Sequence, residues 1–242
     1  MTSEQQIILL DLPSKTPCTS WSLNPWKTRL LLNYKGLDYR TEWVEYPDIK
    51  PRLENHLPPD TANYVPYTIP AVRLPSGTYI MESRSIAGAI DALHPSPPVH
   101  LDSPVLPRLE AIMRRLVPAM YPVFIPRVPE AILSDASVPY WVQTRGSWFG
   151  PLERLRQGEE KAWEAMGPIL REVTGLLGEV GGGVFFMGGE VSYADFVWGG
   201  YLIFCQRLGG AVFERVLAGS GNAEAHRAFL DGLGPWAERR DH

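Results

Sequence analysis

The stretch Thr68-Ile-Pro-Ala-Val72 constrains this chain more than any other, because a proline sits inside a run that otherwise reads as a β-strand. Proline donates nothing to a ladder and belongs at strand edges. Pro70 fits there if the Ile69–Pro70 bond is cis, with the N–H and C=O of Ile69 open to something other than a neighbouring strand. An extended peptide ligand pairs with such an edge. A turn at Ser76-Gly77 and a short strand follow. Twelve residues after Pro70, Glu82-Ser83 opens an apolar helical pattern. A helix start offers free N–H groups and partial positive charge to a carboxylate. Together these features describe a site for a small anionic peptide with a terminal carboxylate.

The flanking segments complete a unit. Ile7-Ile-Leu-Leu10 is a continuous apolar run and reads as a buried strand. A loop, Leu12 to Ser20, leads to a helix predicted from about Asn24 to Lys35. Asn24 is a good N-cap residue, Pro25 suits the first turn and Gly36 ends it. Tyr39 to Glu45 alternates and is rich in strand formers. The Pro47–Thr68 region is irregular, with one weak helical turn near Pro51–Glu54. Strands at Tyr67–Arg73 and Thr78–Met81 precede a helix from Ser83 to about Leu93. The proline-rich segment 96–104 reads as a stiff linker between residues 1–95 and 105–242.

Beyond the linker the pattern is helical. Val105–Val117 and Glu159–Leu177 are amphipathic. Between them, over Val117–Tyr140, prolines at 118, 122, 126, 129 and 139 predict a kinked helix and an extended loop. Ser192 and Asp195 form the two ends of a capping box, with Val191 and Phe196 as its hydrophobic staple. The helix they open is apolar almost all round, which makes it central and gives Asp195 a structural role.

With 242 residues and a net charge of -4, the chain is large enough for one or two cores and carries no electrostatic signature of a nucleic-acid partner. No apolar run reaches the ~20 residues that span a bilayer. The polar start, Met1 to Gln6, lacks the pattern of a signal peptide, so the expected location is the cytoplasm. The two cysteines, Cys18 and Cys205, make no metal pattern, and a disulfide between them is not expected.

Several of these segments resemble the cytosolic glutathione transferases: Ile69-Pro70, Glu82-Ser83, Ser192-x-x-Asp195 and Trp26–Leu37 with its Lys-Gly ending. More narrowly, Trp21–Arg29, Thr41–Ile49 and Val191–Phe196 are similar to the fungal etherase-like class, relatives of bacterial β-etherases. The resemblance implies an N-terminal thioredoxin-like α/β domain, with a mixed four-stranded sheet and a cis-proline, followed by an all-α domain. It implies a homodimer that binds glutathione and a small hydrophobic electrophile. Ile69, preceding Pro70, would pair its backbone with the cysteinyl unit. Ser83 would take the γ-glutamyl carboxylate, and Glu82 would face the ammonium. Asn24 is either a cap or a donor near the sulfur. His56 or Asn63 would serve the glycine carboxylate. Met120, Tyr121, Phe124 and Trp141 would line the electrophile pocket or simply fill core.

A thiol of pKa ~8.5 is mostly un-ionised at neutral pH, and only the thiolate attacks. A hydroxyl donated to the sulfur at the positive end of a helix stabilises that thiolate. Ser14, Ser20 and Ser22 lie between the first strand and the first helix. Counting back from Lys35-Gly36 along the family pattern puts Ser22 at the activating position, although Leu23 stands where many relatives have proline. Two other readings remain open: a non-catalytic protein that holds glutathione or a hydrophobic ligand, and a thiol transferase using Cys18 as its own nucleophile.

Overall fold

The computed structural model describes residues 6–62 and 65–240. Four strands form one mixed sheet in the order β2-β1-β3-β4: β1 (Ile7–Asp11), β2 (Tyr39–Trp43), β3 (Ala71–Arg73) and β4 (Tyr79–Met81). β1 runs parallel to β2 and antiparallel to β3, and β3 is antiparallel to β4. β1 is buried on both faces, as its unbroken apolar sequence requires. Helices α1 (Leu23–Tyr34), α2 (Ile49–Leu53) and α3 (Ser83–Leu93) complete a thioredoxin-like unit.

The Ile69–Pro70 peptide bond is cis. β3 begins at Ala71, four residues later than the sequence predicts, because Pro70 has no N–H to offer a ladder. The Thr68 N–H turns to the Met81 Sδ instead, at 3.1 Å. β2 also stops early, at Trp43, and the chain turns through a short 3₁₀ segment at Tyr46–Asp48.

Helix α1 begins at Leu23, with Ser22 at the N-cap position and Asn24 one turn-position inside. The predicted Asn24 cap is therefore wrong, and the cause is tertiary. Helix α10 (Tyr193–Leu208) presses on the start of α1 at Gly200 and on Leu233 near the C-terminus at Gly199. A Cβ on Gly200 would stand 2.6 Å from the Leu23 carbonyl oxygen, and one on Gly199 would stand 2.5 Å from a Leu233 methyl. That close approach fixes where α1 starts, whatever the capping preference of Asn24.

The helical half is built on α4 (Val105–Ala119), α9 (Glu159–Gly178) and α10, with α11 (Gly210–Ser220) and α12 (Ala223–Ala237) packed against them. Short helices α5 (Tyr121–Phe124) and α6 (Val128–Ala131) and the start of α7 (Val138–Phe149) occupy Val117–Tyr140, where a kinked helix and an extended loop are expected, and α8 (Leu152–Arg156) follows. Pro122, Pro129 and Pro139 each lie in a first helical turn, where the missing N–H costs nothing, so they start helices that the sequence reading took them to break. α10 is nearly all buried. The Asp195 carboxylate accepts from the Ser192 N–H at 2.7 Å, the Ser192 hydroxyl at 2.8 Å and the Phe186 N–H at 2.9 Å. Its role is to hold the helix start, as expected.

His226 on α12 lies fully buried beside α10. Its Nδ1 accepts from Trp198 Nε1–H at 3.1 Å, so its Nε2–H faces Thr174 Oγ1 at 2.8 Å, and Thr174 in turn donates to the Ser220 carbonyl. Burial pushes this imidazole down to about 4. A histidine depressed in the fold contributes stability that is fully present above its unfolded value of about 6.5 and lost as pH falls toward 4. The shift corresponds to about 3 kcal/mol. Burial also pushes Asp195 up to about 6, which acts with the opposite sign but is common to both proteins in a difference measurement. Urea unfolding of wild type and His226→Gln at pH 7, 5 and 4 should show wild type losing about 3 kcal/mol more than the variant across that window. Parallel pH curves would remove His226 as the cause.

Candidate active site

The turn between β4 and α3 and the start of α1 meet at one edge of the sheet. A cavity of about 320 Å³ lies there, lined by Asn24, Val65, Thr68, Ile69, Pro70, Glu82 and Ser83. An adjoining cavity of about 290 Å³ shares Asn24, Val65, Thr68 and Ile69 and adds Ser22, Tyr46, Lys50 and Arg145. A third lobe of about 230 Å³ shares Ser22, Asn24, Tyr46 and Arg145 and is walled by Trp21, Tyr121, Phe124, Trp141, Trp148, Phe149 and Phe204. Ser22 therefore borders both the lobe that adjoins the cis-proline cavity and the aromatic one. Five of the predicted site residues, Asn24, Ile69, Pro70, Glu82 and Ser83, border the first cavity, and Ser22 borders the next two.

Glu82 takes the N-cap position of α3 with φ +72°, a left-handed conformation that costs a non-glycine residue on the order of 1 kcal/mol or more. Its carboxylate accepts from the Thr68 hydroxyl at 2.6 Å, which ties the cis-proline loop to the helix start. Ser83 is the first helical residue, beside the free N–H groups of an 11-residue helix. On the far side of Glu82 and Ser83 lies a wider cavity of about 570 Å³ against α4. Lys27 lines it, pushed down to about 8 by burial while Glu110 and Glu82 pull the other way.

The three serines of the β1–α1 connection separate cleanly. The Ser14 hydroxyl organises its own loop, accepting from Thr19 N–H at 2.9 Å and donating to the Lys15 and Pro17 carbonyls. Ser20 is buried. Ser22 is half-buried and borders the cleft. Cys18 lies outside the three lobes, and burial raises its thiol above the ordinary value. Cys205 is fully buried in α10.

Sequence reasoning missed or misplaced several residues. His56 is exposed and stacks on Tyr79, rings 4.2 Å apart, away from the cleft. Asn63 lies outside the described residues. Met120 is fully buried and accepts from the Tyr201 hydroxyl, so it is core. Tyr121, Phe124 and Trp141 do line the aromatic lobe. Tyr46, Lys50, Arg145, Trp148 and Phe149 were not foreseen. The spacing of Trp141, Arg145 and Trp148, at i, i+4 and i+7, was a signal available in the sequence, since it puts all three on one helical face.

The two halves are joined at the mouth of this cleft by Glu45. Its carboxylate accepts from the Ser134 hydroxyl at 2.7 Å and from the Ser137 hydroxyl, while Ser137 Oγ accepts from Tyr46 N–H at 3.0 Å. Burial pushes the Tyr46 phenol up to about 12, with Arg145 opposing, so at neutral pH it is a neutral hydrogen-bond donor. Removing the carboxylate in Glu45→Ala should cost roughly 1.5–3 kcal/mol, the range for hydrogen bonds to a charged group. Amide exchange in residues 138–149 should speed up correspondingly. Unchanged exchange there would mean that Glu45 does not hold α7.

A thioredoxin-like half with a cis-proline loop, facing an aromatic lobe from an all-helical half, is the two-part architecture the sequence implied. Residues 21–93 match the glutathione S-transferase N-terminal domain model and residues 109–224 the C-terminal domain model. The chain is 31% identical to a glutathione S-transferase-like protein, ustS, of Aspergillus flavus, over 98% of this chain and 93% of that protein. A glutathione S-transferase of Ceriporiopsis subvermispora, solved in complex with glutathione, is 30% identical, with a TM-score of 0.84 over 98% of this chain and 100% of that one. Glutathione transferase GSTFuA3 of Phanerochaete chrysosporium is 26% identical, with a TM-score of 0.81 over 96% and 97% of the two chains. The chain belongs to the cytosolic glutathione transferase superfamily. Among the described residues no helix is long and apolar enough to cross a membrane.

Proposed function

We propose that this protein is an active glutathione transferase, working as a homodimer in the cytosol, in which Ser22 activates the bound glutathione thiol for attack on a small aromatic electrophile. The observation that carries this reading is the convergence of Ser22, Ile69, Glu82 and Ser83, from three separate stretches of chain, on adjoining cavities that share Asn24. Residues 1–95 would then hold glutathione and residues 105–242 the second substrate, joined by 96–104.

Each group has a physical role. Ile69, before the cis-proline, would pair its backbone with the cysteinyl unit, as an added strand does. Ser83 and the start of α3 would hold the γ-glutamyl carboxylate, with Glu82 facing the ammonium. Lys50, exposed at the rim and in only a weak 3.9 Å contact with Glu54, would meet the glycine carboxylate. The sulfur would lie at Ser22, whose hydroxyl donates to the thiolate at the positive end of α1. A thiol lowered by about two units gains roughly 2.7 kcal/mol of thiolate stabilisation and is mostly ionised at neutral pH. The same thiolate would conjugate an activated double bond or aryl halide, cleave an aryl ether as the etherase-like resemblance suggests, or add and leave in an isomerisation.

Thermal unfolding tests the binding half. At one hundred times Kd glutathione adds roughly 2.7 kcal/mol, which should raise the midpoint of a chain this size by about 5–10 °C. Ser83→Ala should reduce that shift. Ser22→Ala should keep most of it while losing conjugation of an activated aryl halide by at least tenfold. Full activity in Ser22→Ala would remove the assigned activator, and no shift at millimolar glutathione would favour a protein that holds hydrophobic ligands instead.

A further inference from the structure

Arg145 is a cation in the cleft whose neighbours are aromatic and not acidic. Its guanidinium carbon lies 3.9 Å from the Trp141 ring centroid and 4.9 Å from those of Tyr46 and Trp148. One Nη–H donates to Thr144 Oγ1 at 2.9 Å. The electrostatic neighbours that offset its burial are the Tyr46 and Tyr140 phenols, and among the described residues no carboxylate pairs with it. Arg52, Arg108, Arg115, Arg127, Arg215 and Arg227 each pair with a glutamate. A guanidinium offers five N–H donors in a fixed fork that matches a carboxylate. Arg145 presents that fork, half-buried, to two lobes of the same cleft.

We propose that Arg145 determines second-substrate specificity by holding the carboxylate of an aromatic acid whose ring lies among Trp141, Trp148 and Phe149. The proposal rests on the reading that glutathione's sulfur sits at Ser22. Both lobes that Arg145 borders also include Ser22, so a ring held there stands next to the activated thiol. Arg145 belongs to α7 in the helical half, whereas Ile69, Glu82 and Ser83 belong to the sheet half. Lys50, in the sheet half, already offers a cation for the glycine end of glutathione. Two cations in one cleft thus match two carboxylates from different molecules. The flat aromatic stack keeps the guanidinium oriented and partly dry, which strengthens its hydrogen bonds to an anion.

The test uses two electrophiles with the same reacting carbon: ethacrynic acid, an aryl enone with an oxyacetate group, and its uncharged carboxamide. The glutathione thiolate adds to the terminal alkene carbon, the C=C pair moves toward the carbonyl, and the α-carbon takes a proton from solvent, so no oxidant or reductant is needed. Wild type should prefer the acid in kcat/KM by tenfold or more. Arg145→Gln should erase that preference, Arg145→Lys should restore part of it, and neither should change KM for glutathione by more than about twofold. Quenching of tryptophan fluorescence by the acid and by the amide, without glutathione, reads the same preference if no turnover occurs, which separates this proposal from the transferase reading itself. Equal binding of acid and amide by wild type would overturn it. So would a tenfold rise in KM for glutathione in Arg145→Gln with the acid preference intact, which would assign Arg145 to the glycine carboxylate.

Discussion

The buried ion pair between Arg29 and Asp11 is the contact on which the geometry of the cleft depends. The two charges meet at 2.8 Å with both side chains wholly inaccessible to solvent. Arg29 lies on α1, Asp11 at the end of β1, and the same guanidinium reaches Thr41 at 2.9 Å on β2. Such a pair adds little net stability over a well-packed apolar substitute, but either charge left alone in the interior is strongly unfavourable. The consequence is one of position. α1 cannot slide or rotate on the sheet without stranding a charge, so the start of α1 is fixed relative to the strand that leads into it. Asp11 Oδ1 also accepts from Leu12 N–H at 2.7 Å, which begins the loop that ends at Ser22.

From the other side, α10 locks the same helix. Gly200 lets its backbone approach α1 more closely than any side chain would permit, and the Asp195 box fixes where α10 begins. The start of α1 is thus set by one contact to the sheet and one to the helical half. The role proposed for Ser22 needs this kind of support, because catalysis is sensitive to sub-ångström placement. The charge network acts from Arg29, further along α1, and the glycine contact falls at Leu23, directly beside Ser22.

What the sequence disclosed was what local chemistry encodes. Ile69-Pro70, Glu82-Ser83 and Ser192-x-x-Asp195 are each self-contained devices whose residues act on their immediate neighbours, and they form the expected cis bond, helix start and capping box. The failures have the opposite character. Asn24 and Ser22 are both good caps by type, but Gly200, far along the chain, meets the start of α1 at Leu23. The prolines at 122, 129 and 139 read as breakers because proline's effect depends on whether it falls in the first turn, which the sequence alone did not fix. α7 mixes apolar ends with the polar run Gln143–Ser147 and buries only Trp141, so it gave no amphipathic signal. Nothing local singles out Arg145, since its environment is completed by Tyr46 from the other half of the chain.

The two walls of the cleft are held with different firmness, and that difference bears on selectivity. The sheet wall is anchored by strands, a buried ion pair and the Thr68–Glu82 bond. The α7 wall exposes Tyr140, Val142 and Phe149, buries only Trp141 fully, and is tied down mainly by Glu45 and its two serines. Elements with few buried apolar contacts open at lower free energy than a core. A rigid wall suits a ligand that never changes, such as a tripeptide thiol with fixed carboxylates. A looser wall of flat aromatic rings suits a second ligand of variable shape, because stacking is tolerant of which ring is presented. In such an arrangement shape alone discriminates poorly. A charge fixed within the looser wall restores selectivity, since an unpaired anion or cation in a partly dry cleft is costly in a way that a misfitting ring is not.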